Sequence, residues 1–275
     1  MSLSVYVMAN HEVGYALVQK LLDAHAAGEC RLLGLCTAPR PAHAWWPDPA
    51  LWVAQSPIPH YLYLNEADLV THAAERPDWL LLLSWPAVLK GPLLDWPRKG
   101  ILNLHMSLLP RHRGVMAAVW PLLAGETQTG ITYHRVDTGI DTGNILLQRA
   151  VPVYQWDDCR SLLHRLNETA VSAFDELWAL RHSWPEMGQP QAPEPASYHS
   201  RKDFEALHEL DLDAPTTARQ VLNHVRALSF PPHAAHAWVR CPDTRRRIRL
   251  SLALWPEDEL PTPAEGGPGE QTAEV

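Results

Sequence analysis

Several familiar signatures are missing from this chain, and each absence removes a class of function. Its four cysteines (Cys30, Cys36, Cys159 and Cys241) show neither CxxC spacing nor an even framework, which excludes a disulfide scaffold and a redox pair and suits reduced thiols in the cytoplasm. No stretch approaches the ~18 apolar residues that a bilayer span needs. The opening "MSLSVYVMANHEVGY" has no basic n-region, so no signal peptide is expected. Fifteen histidines are scattered without HxxxH or HExxH spacing, so no metal site is expected. There is no GxGxxG after the first apolar run, where "MANHEVG" stands instead, and a nicotinamide dinucleotide site is not supported. Positive charge is also short. With 23 Lys+Arg against 31 Asp+Glu, the formal net charge is −8, poorly suited to neutralising phosphates along a nucleic acid. One basic run, "RCPDTRRRIRL", reads as a solvated strand edge, where charge also discourages aggregation.

What is present fits one large domain or two modest ones: 275 residues, 46% of them hydrophobic. "LSVYVMA", "RLLGLCTA", "YLYL", "DWLLLLSW" and "GILNLH" read as strands. Between them, "NHEVGYALVQKLLDAHAAG" places Val13, Leu17 and Leu21 on one helical face, with Asn10 as its expected cap, and "NEADLVTHAAE" is amphipathic. "GVMAAVWPLLAG" is expected to be helical, with an interruption near Pro121, and "TGITYHRV" and "GNILLQRAVPV" should form a hairpin. A helix from Asp157 to about His182 follows, with Asp157 and Asp158 at its positive end. The alternation implies an α/β class, a mostly parallel sheet with helices on both faces. This first unit spans 1–183. Four prolines mark 184–200 as a linker, and 201–256 reads as a small C-terminal α+β unit with a helix stopped by Pro231 and Pro232 and a strand pair in "AHAWVR" and "RIRLSLAL". The remaining 257–275 are acidic, Pro/Gly-rich and expected to be disordered.

Two elements carry chemistry. Alternate residues of a strand share a face, so Asn103 and His105 project together from the end of "GILNLH", at the sheet edge where open parallel sheets bind ligands. Taken alone, the pair is equally a capped turn beside a satisfied imidazole. "DTGIDTG" (137–143) sets two aspartates four apart in a loop whose Asp and Gly content alone signals only a turn.

Together, "GILNLHMSLLPRHRG" and "TGITYHRVDTGIDTGNILLQ" resemble the 10-formyltetrahydrofolate-dependent formyltransferases over roughly the first two-thirds of the chain. The shared core is Asn-x-His-x-Ser-Leu-Leu-Pro, an Arg-Gly after the proline, and an Asp-Thr-Gly at the family's spacing. The resemblance implies a Rossmann-like fold, 10-formyltetrahydrofolate as formyl donor, and Asn103, His105 and Asp141 as catalytic residues. Asn103 would donate to the oxyanion, His105 would serve as second donor or acid, and Asp141 would orient the imidazole and raise its pKa. Ser107 to Pro110 would shape the loop below the site, braced by Arg113. The resemblance also implies that folate lies against Ser84, Trp85 and Leu89 and against Asp137, Gly139 and Ile140, with Trp85 equally readable as a core aromatic.

The family's branches differ in their amine. The glycinamide ribonucleotide enzymes usually lack a second domain, and the methionyl-tRNA enzymes carry a larger C-terminal domain suited to RNA. "YHSRKDFEALHELDLDAPTTARQVLNHVRALSFPP" resembles the aminosugar nucleotide branch. This implies a nucleotide-linked aminosugar held by Arg201 and Lys202 at its diphosphate and by Asn10 and His11 at its sugar, although exposed charges and a helix cap account for these four equally well. Methionyl-tRNA, another small amine, and a folate-binding protein without turnover remain alternatives. A homodimer through an apolar C-terminal strand or helix is left open by pattern alone.

Overall fold

The computed structural model describes residues 2–39, 44, 46–54, 56–73, 75–229, 236–252 and 254. Chain order is β1 (Leu3–Ala9), α1 (His11–Ala26), β2 (Cys30–Thr37), α2 (Ala50–Val53), β3 (His60–Leu62), α3 (Glu66–His72), β4 (Trp79–Leu83), α4 (Pro92–Asp95), β5 (Gly100–His105), β6 (Arg113–Gly114), α5 (Val119–Ala124), β7 (Gln128–Arg135), β8 (Ile145–Pro152), α6 (Cys159–Ala179), β9 (Tyr198–His199), α7 (Arg201–Ala206), α8 (Ala218–Ala227), β10 (Trp238–Arg240) and β11 (Arg247–Arg249).

A seven-stranded sheet runs β3-β2-β1-β4-β5-β7-β8. β1 to β5 pair in parallel, and the β7–β8 hairpin adds to β5 antiparallel. Strands buried on both faces need apolar side chains on both, which is why β1 and β4 lack alternation. Their residues sort by parity. Val5, Val7, Trp79, Leu81, Leu83, Leu102 and Leu104 pack with α1 and α6 on one face, while Tyr6, Met8, Leu80, Leu82 and Ile101 pack with Leu69, Leu93 and Trp96 on the other. Asn103 and His105 continue the line of Ile101 on this second face, which therefore turns polar where β5 ends.

β1 lies between β2 and β4, so the chain's direction across the sheet reverses there and a crevice opens at the strands' carboxyl ends. α1 enters it tightly: a Cβ on Gly14 would meet the Leu83 carbonyl at 2.9 Å. Asn10 takes the N-cap position, but its side chain makes no cap hydrogen bond, contrary to expectation. Its backbone N–H instead donates to the Leu83 carbonyl at 3.1 Å, tying helix entry to β4.

Residues 184–200 form a strap anchored at both ends. Trp184 is fully buried, edge-on to Trp79 at 5.6 Å. Gln189 and Ile145 exchange backbone hydrogen bonds, and β9 pairs in parallel with β6. In the C-terminal unit α8 packs on α5, and Arg226 donates to the Tyr154 carbonyl at 2.9 Å. α8 ends at Ala227, and the two prolines expected to stop it lie outside the described residues. β10 and β11 pair antiparallel but are shorter than expected, and α5 covers only the second half of "GVMAAVWPLLAG", after Met116 takes a left-handed φ of 54°. The tail over 257–275 lies outside the described residues. Among those described, no helix is long and apolar enough to cross a membrane.

Candidate active site

Three elements converge at the carboxyl end of β5. β5 supplies Asn103 and His105, β7 supplies His134, directly opposite Asn103 in the antiparallel register, and the loop after β7 supplies Asp141. Asp141 adopts φ 52°, a left-handed conformation that an Asp tolerates and that turns its carboxylate back over the sheet edge. Its Oδ1 accepts from Asn103 Nδ2 at 3.3 Å and lies 3.5 Å from His134 Nε2. Its Oδ2 accepts from the Gly114 backbone N–H at 2.8 Å and lies 3.5 Å from His105 Nδ1. Gly114 can do this because it has no side chain: at φ 94° a Cβ would sit 2.2 Å from the His199 carbonyl on the neighbouring strand β9.

The other imidazole contacts assign the protons. His105 Nε2 faces the His112 carbonyl at 2.8 Å, so this nitrogen carries a hydrogen and donates it. Nδ1 is then the nitrogen able to exchange a proton beside Asp141. His134 Nδ1 donates to the Arg135 carbonyl at 2.7 Å, which leaves Nε2 to accept from Asn103 Nδ2 at 3.0 Å. Asn103 thus directs both amide hydrogens into the site, and its longer contact, to Asp141, is the one an incoming oxygen would displace.

The electrostatics corrects one expectation. The carboxylate was expected to raise the His105 pKa above its ordinary value. Burial instead pushes it down, and the attraction of Asp141 only partly offsets this. Burial opposes the charge of Asp141 too, but there the attraction of His105 once it is protonated and the Gly114 N–H prevail and hold the carboxyl well below the usual range. The resting pair is therefore a carboxylate beside a neutral imidazole.

The remaining expected residues lie around this centre. Asp137 accepts from Gly139 N at 3.0 Å and Thr142 Oγ1 at 2.6 Å, so its carboxylate shapes its own loop. Gly139 and Ile140 are exposed at that loop's tip. Ser84 Oγ meets His11 Nδ1 at 2.9 Å across the crevice between β4 and β1, with both residues at left-handed φ. Burial lowers the His11 pKa, partly offset by the Ser84 carbonyl. Asn10 is buried beside it. Trp85 packs edge-on against Tyr63 at 5.1 Å, and Leu89 is buried with Tyr6 and Met8. Arg201 and Lys202 are exposed on the first turn of α7, just beyond His199, the β9 partner of Gly114. Arg113 braces the strap through Gln191.

Sequence reasoning missed His134 and Gly114. His134 was findable in principle, since "TGITYHRV" puts Thr132 and His134 on one polar face, but only the β5–β7 register brings it opposite Asn103.

A profile of the formyl transferase family matches residues 58–177, and one of the N-formyltransferase dimerization C-terminal domain matches 203–255. A methionyl-tRNA formyltransferase of Pelobacter propionicus is 34% identical over 243 residues, 85% of this chain and 73% of that protein. The chain belongs to the formyl transferase family. Within the family, a GDP-perosamine N-formyltransferase of Brucella melitensis is 35% identical over 157 residues, 57% of this chain and 58% of that protein. Three other methionyl-tRNA formyltransferases are matched over 32% of their length, and those of Aromatoleum aromaticum and Thermosynechococcus vestitus over 50% and 54%. The fold matches the structure of a sugar N-formyltransferase from a Shewanella species with TM-score 0.72 at 22% identity, over 92% of this chain and 98% of that one.

Proposed function

We propose that this chain transfers the formyl group of 10-formyltetrahydrofolate to a primary amine, most suitably the amine of an amino-deoxysugar carried on a nucleoside diphosphate. The observation that carries the proposal is the Asp141 carboxylate, held between an amide donor and an imidazole whose second nitrogen is committed elsewhere.

The amine nitrogen attacks the formyl carbon, a C–N bond forms, and the carbonyl oxygen becomes an oxyanion. Asn103 Nδ2 donates to that oxygen. Neutral His105 takes the amine's proton at Nδ1, and Asp141 stabilises the imidazolium so formed. When the C–N10 bond breaks, the proton passes to N10, leaving a formamide and tetrahydrofolate. Ser84, Trp85 and Leu89, with Asp137, Gly139 and Ile140, flank the donor. Apolar side chains face solvent on both of these loops, Val88 at 57% and Ile140 at 38% exposure, and would receive a pteridine. Asn10 and His11 reach the sugar, and Arg201 and Lys202 the diphosphate. The 203–255 unit assembles a homodimer, a reading supported by the dimerization-domain match.

Methionyl-tRNA is the second reading, favoured by the 34% identical relative. A net charge of −8 weighs against it, because RNA affinity grows with the phosphates that cations neutralise. Mass spectrometry of reactions containing the folate donor and a panel of nucleotide-linked aminosugars is the test. A 28 Da gain, about the mass of CO, on a sugar supports the proposal; charging of the formyl group onto methionyl-tRNA alone would transfer the assignment to the second reading.

A further inference from the structure

Gln191, in the strap between the two folded units, has a side-chain amide whose every hydrogen-bonding direction is used toward the active site. Its Nε2 donates to the backbone carbonyl of Asp141 at 2.7 Å and to that of Gly143 at 2.8 Å. Its Oε1 accepts twice from Arg113, at 3.1 Å from Nε and 2.7 Å from Nη2. The amide's orientation is forced, since reversing it would set an oxygen against two carbonyls and an NH2 against a guanidinium. Arg113 is itself adjacent to Gly114, whose N–H holds the Asp141 carboxylate. One side chain therefore clamps the two segments that fix Asp141: its own loop through the carbonyls, and the β6 segment through Arg113.

The clamp acts where positioning is needed. Asp141 stands at φ 52°, in a Gly-rich loop outside the sheet, and its carboxylate must stay within reach of both β5 side chains. A carbonyl on each side of Thr142 is pinned from the strap, so the loop cannot swing without breaking charge-assisted and neutral hydrogen bonds together.

We infer that Gln191 is a positioning residue for formyl transfer, setting the catalytic loop through the Asp141 and Gly143 carbonyls and thereby coupling the strap to the site. The inference rests on the activity proposed above, and its test keeps the two separable.

Two variants divide the clamp. Gln191→Glu can still accept from Arg113 but has no N–H for the loop carbonyls; Gln191→Met is of similar length and makes neither contact. If the loop contacts matter, both lower kcat, on the order of 10- to 100-fold for a displacement of about an ångström, with KM for donor and acceptor nearly unchanged. If Gln191 merely docks the strap, Gln191→Glu retains wild-type kcat, and the inference is overturned. Two readouts do not depend on turnover. Hydrogen exchange of the 139–143 amides should accelerate in both variants, and the His105 imidazole of Gln191→Met, followed by NMR, should titrate at lower pH as the carboxylate that lifts it drifts. Unchanged exchange and an unchanged His105 titration overturn the inference whatever the activity. A wild-type protein that formylates no amine, while both variants loosen the loop, overturns the proposed function and leaves the clamp standing.

Discussion

At the scale of single residues, the two aspartates of "DTGIDTG" have separate duties. Asp137 accepts two hydrogen bonds from its own loop, and an amide oxygen at the same place can accept both. Asp141 meets two imidazoles, an amide and a backbone N–H, and its charge, ahead of the His112 carbonyl, offsets the burial that disfavours the His105 imidazolium. Asp141→Asn is therefore expected to lower kcat by roughly 10²- to 10⁴-fold, the range of a lost acid–base partner, and to move the His105 titration to lower pH. Asp137→Asn should stay close to wild type. Asn103→Ala, which removes the oxyanion donor, should cost on the order of 10²- to 10³-fold in kcat while leaving folate affinity nearly intact. Single-turnover kinetics with equilibrium folate binding checks all three. Equal damage from the two Asp→Asn changes would mean that the carboxylate has been assigned to the wrong position.

At the scale of elements, the start of α6 shows how two adjacent aspartates divide structural work. Asp158 caps the helix in a reciprocal box with Ser161. Asp157 is fully buried and accepts from Tyr154 N at 2.7 Å and Ser161 Oγ at 2.8 Å while paired with Arg165. Asp157→Ala strands these donors and should lower stability by about 2–3 kcal/mol, below the ~3–5 kcal/mol of a fully buried pair because Arg165 reaches solvent. Asp158→Ala should cost only about 1 kcal/mol. Urea denaturation orders the two, and a larger effect at Asp158 would contradict this account. Both aspartates were legible as a helix start, as were the apolar strands β1 and β4 and the Asn103/His105 pair, because local periodicity encodes such features. The strap was read only as prolines. Its anchors, Trp184 against Trp79 and β9 against β6, are contacts between segments far apart in sequence. His134 was hidden for the same reason, since an antiparallel register is fixed by the assembled sheet.

At the scale of the whole molecule, burial of histidines sets the response to acid. His11, His105 and His112 all have pKa values lowered by burial, each only partly offset: by the Ser84 carbonyl, by Asp141 with the His112 carbonyl, and by Glu126, respectively. In the unfolded chain they take up protons near pH ~6.5. As pH falls below that value the unfolded state binds more protons than the native one, and stability must fall with pH until the native pKa values are reached. An opposing effect exists. The net charge of −8 diminishes as pH approaches the pI of about 6.0, which relieves self-repulsion. Surface repulsion is screened beyond about 8 Å at 0.15 M salt, whereas the buried imidazoles are not, so the histidine effect should dominate at that ionic strength. The urea midpoint is expected to be lower at pH 6 than at pH 7 with an unchanged m-value. A midpoint that rises toward pH 6 in 0.15 M salt would mean that charge repulsion, not the desolvated histidines, governs this limb. Lowering the salt should shrink the difference between the two pH values, since it strengthens only the repulsion term.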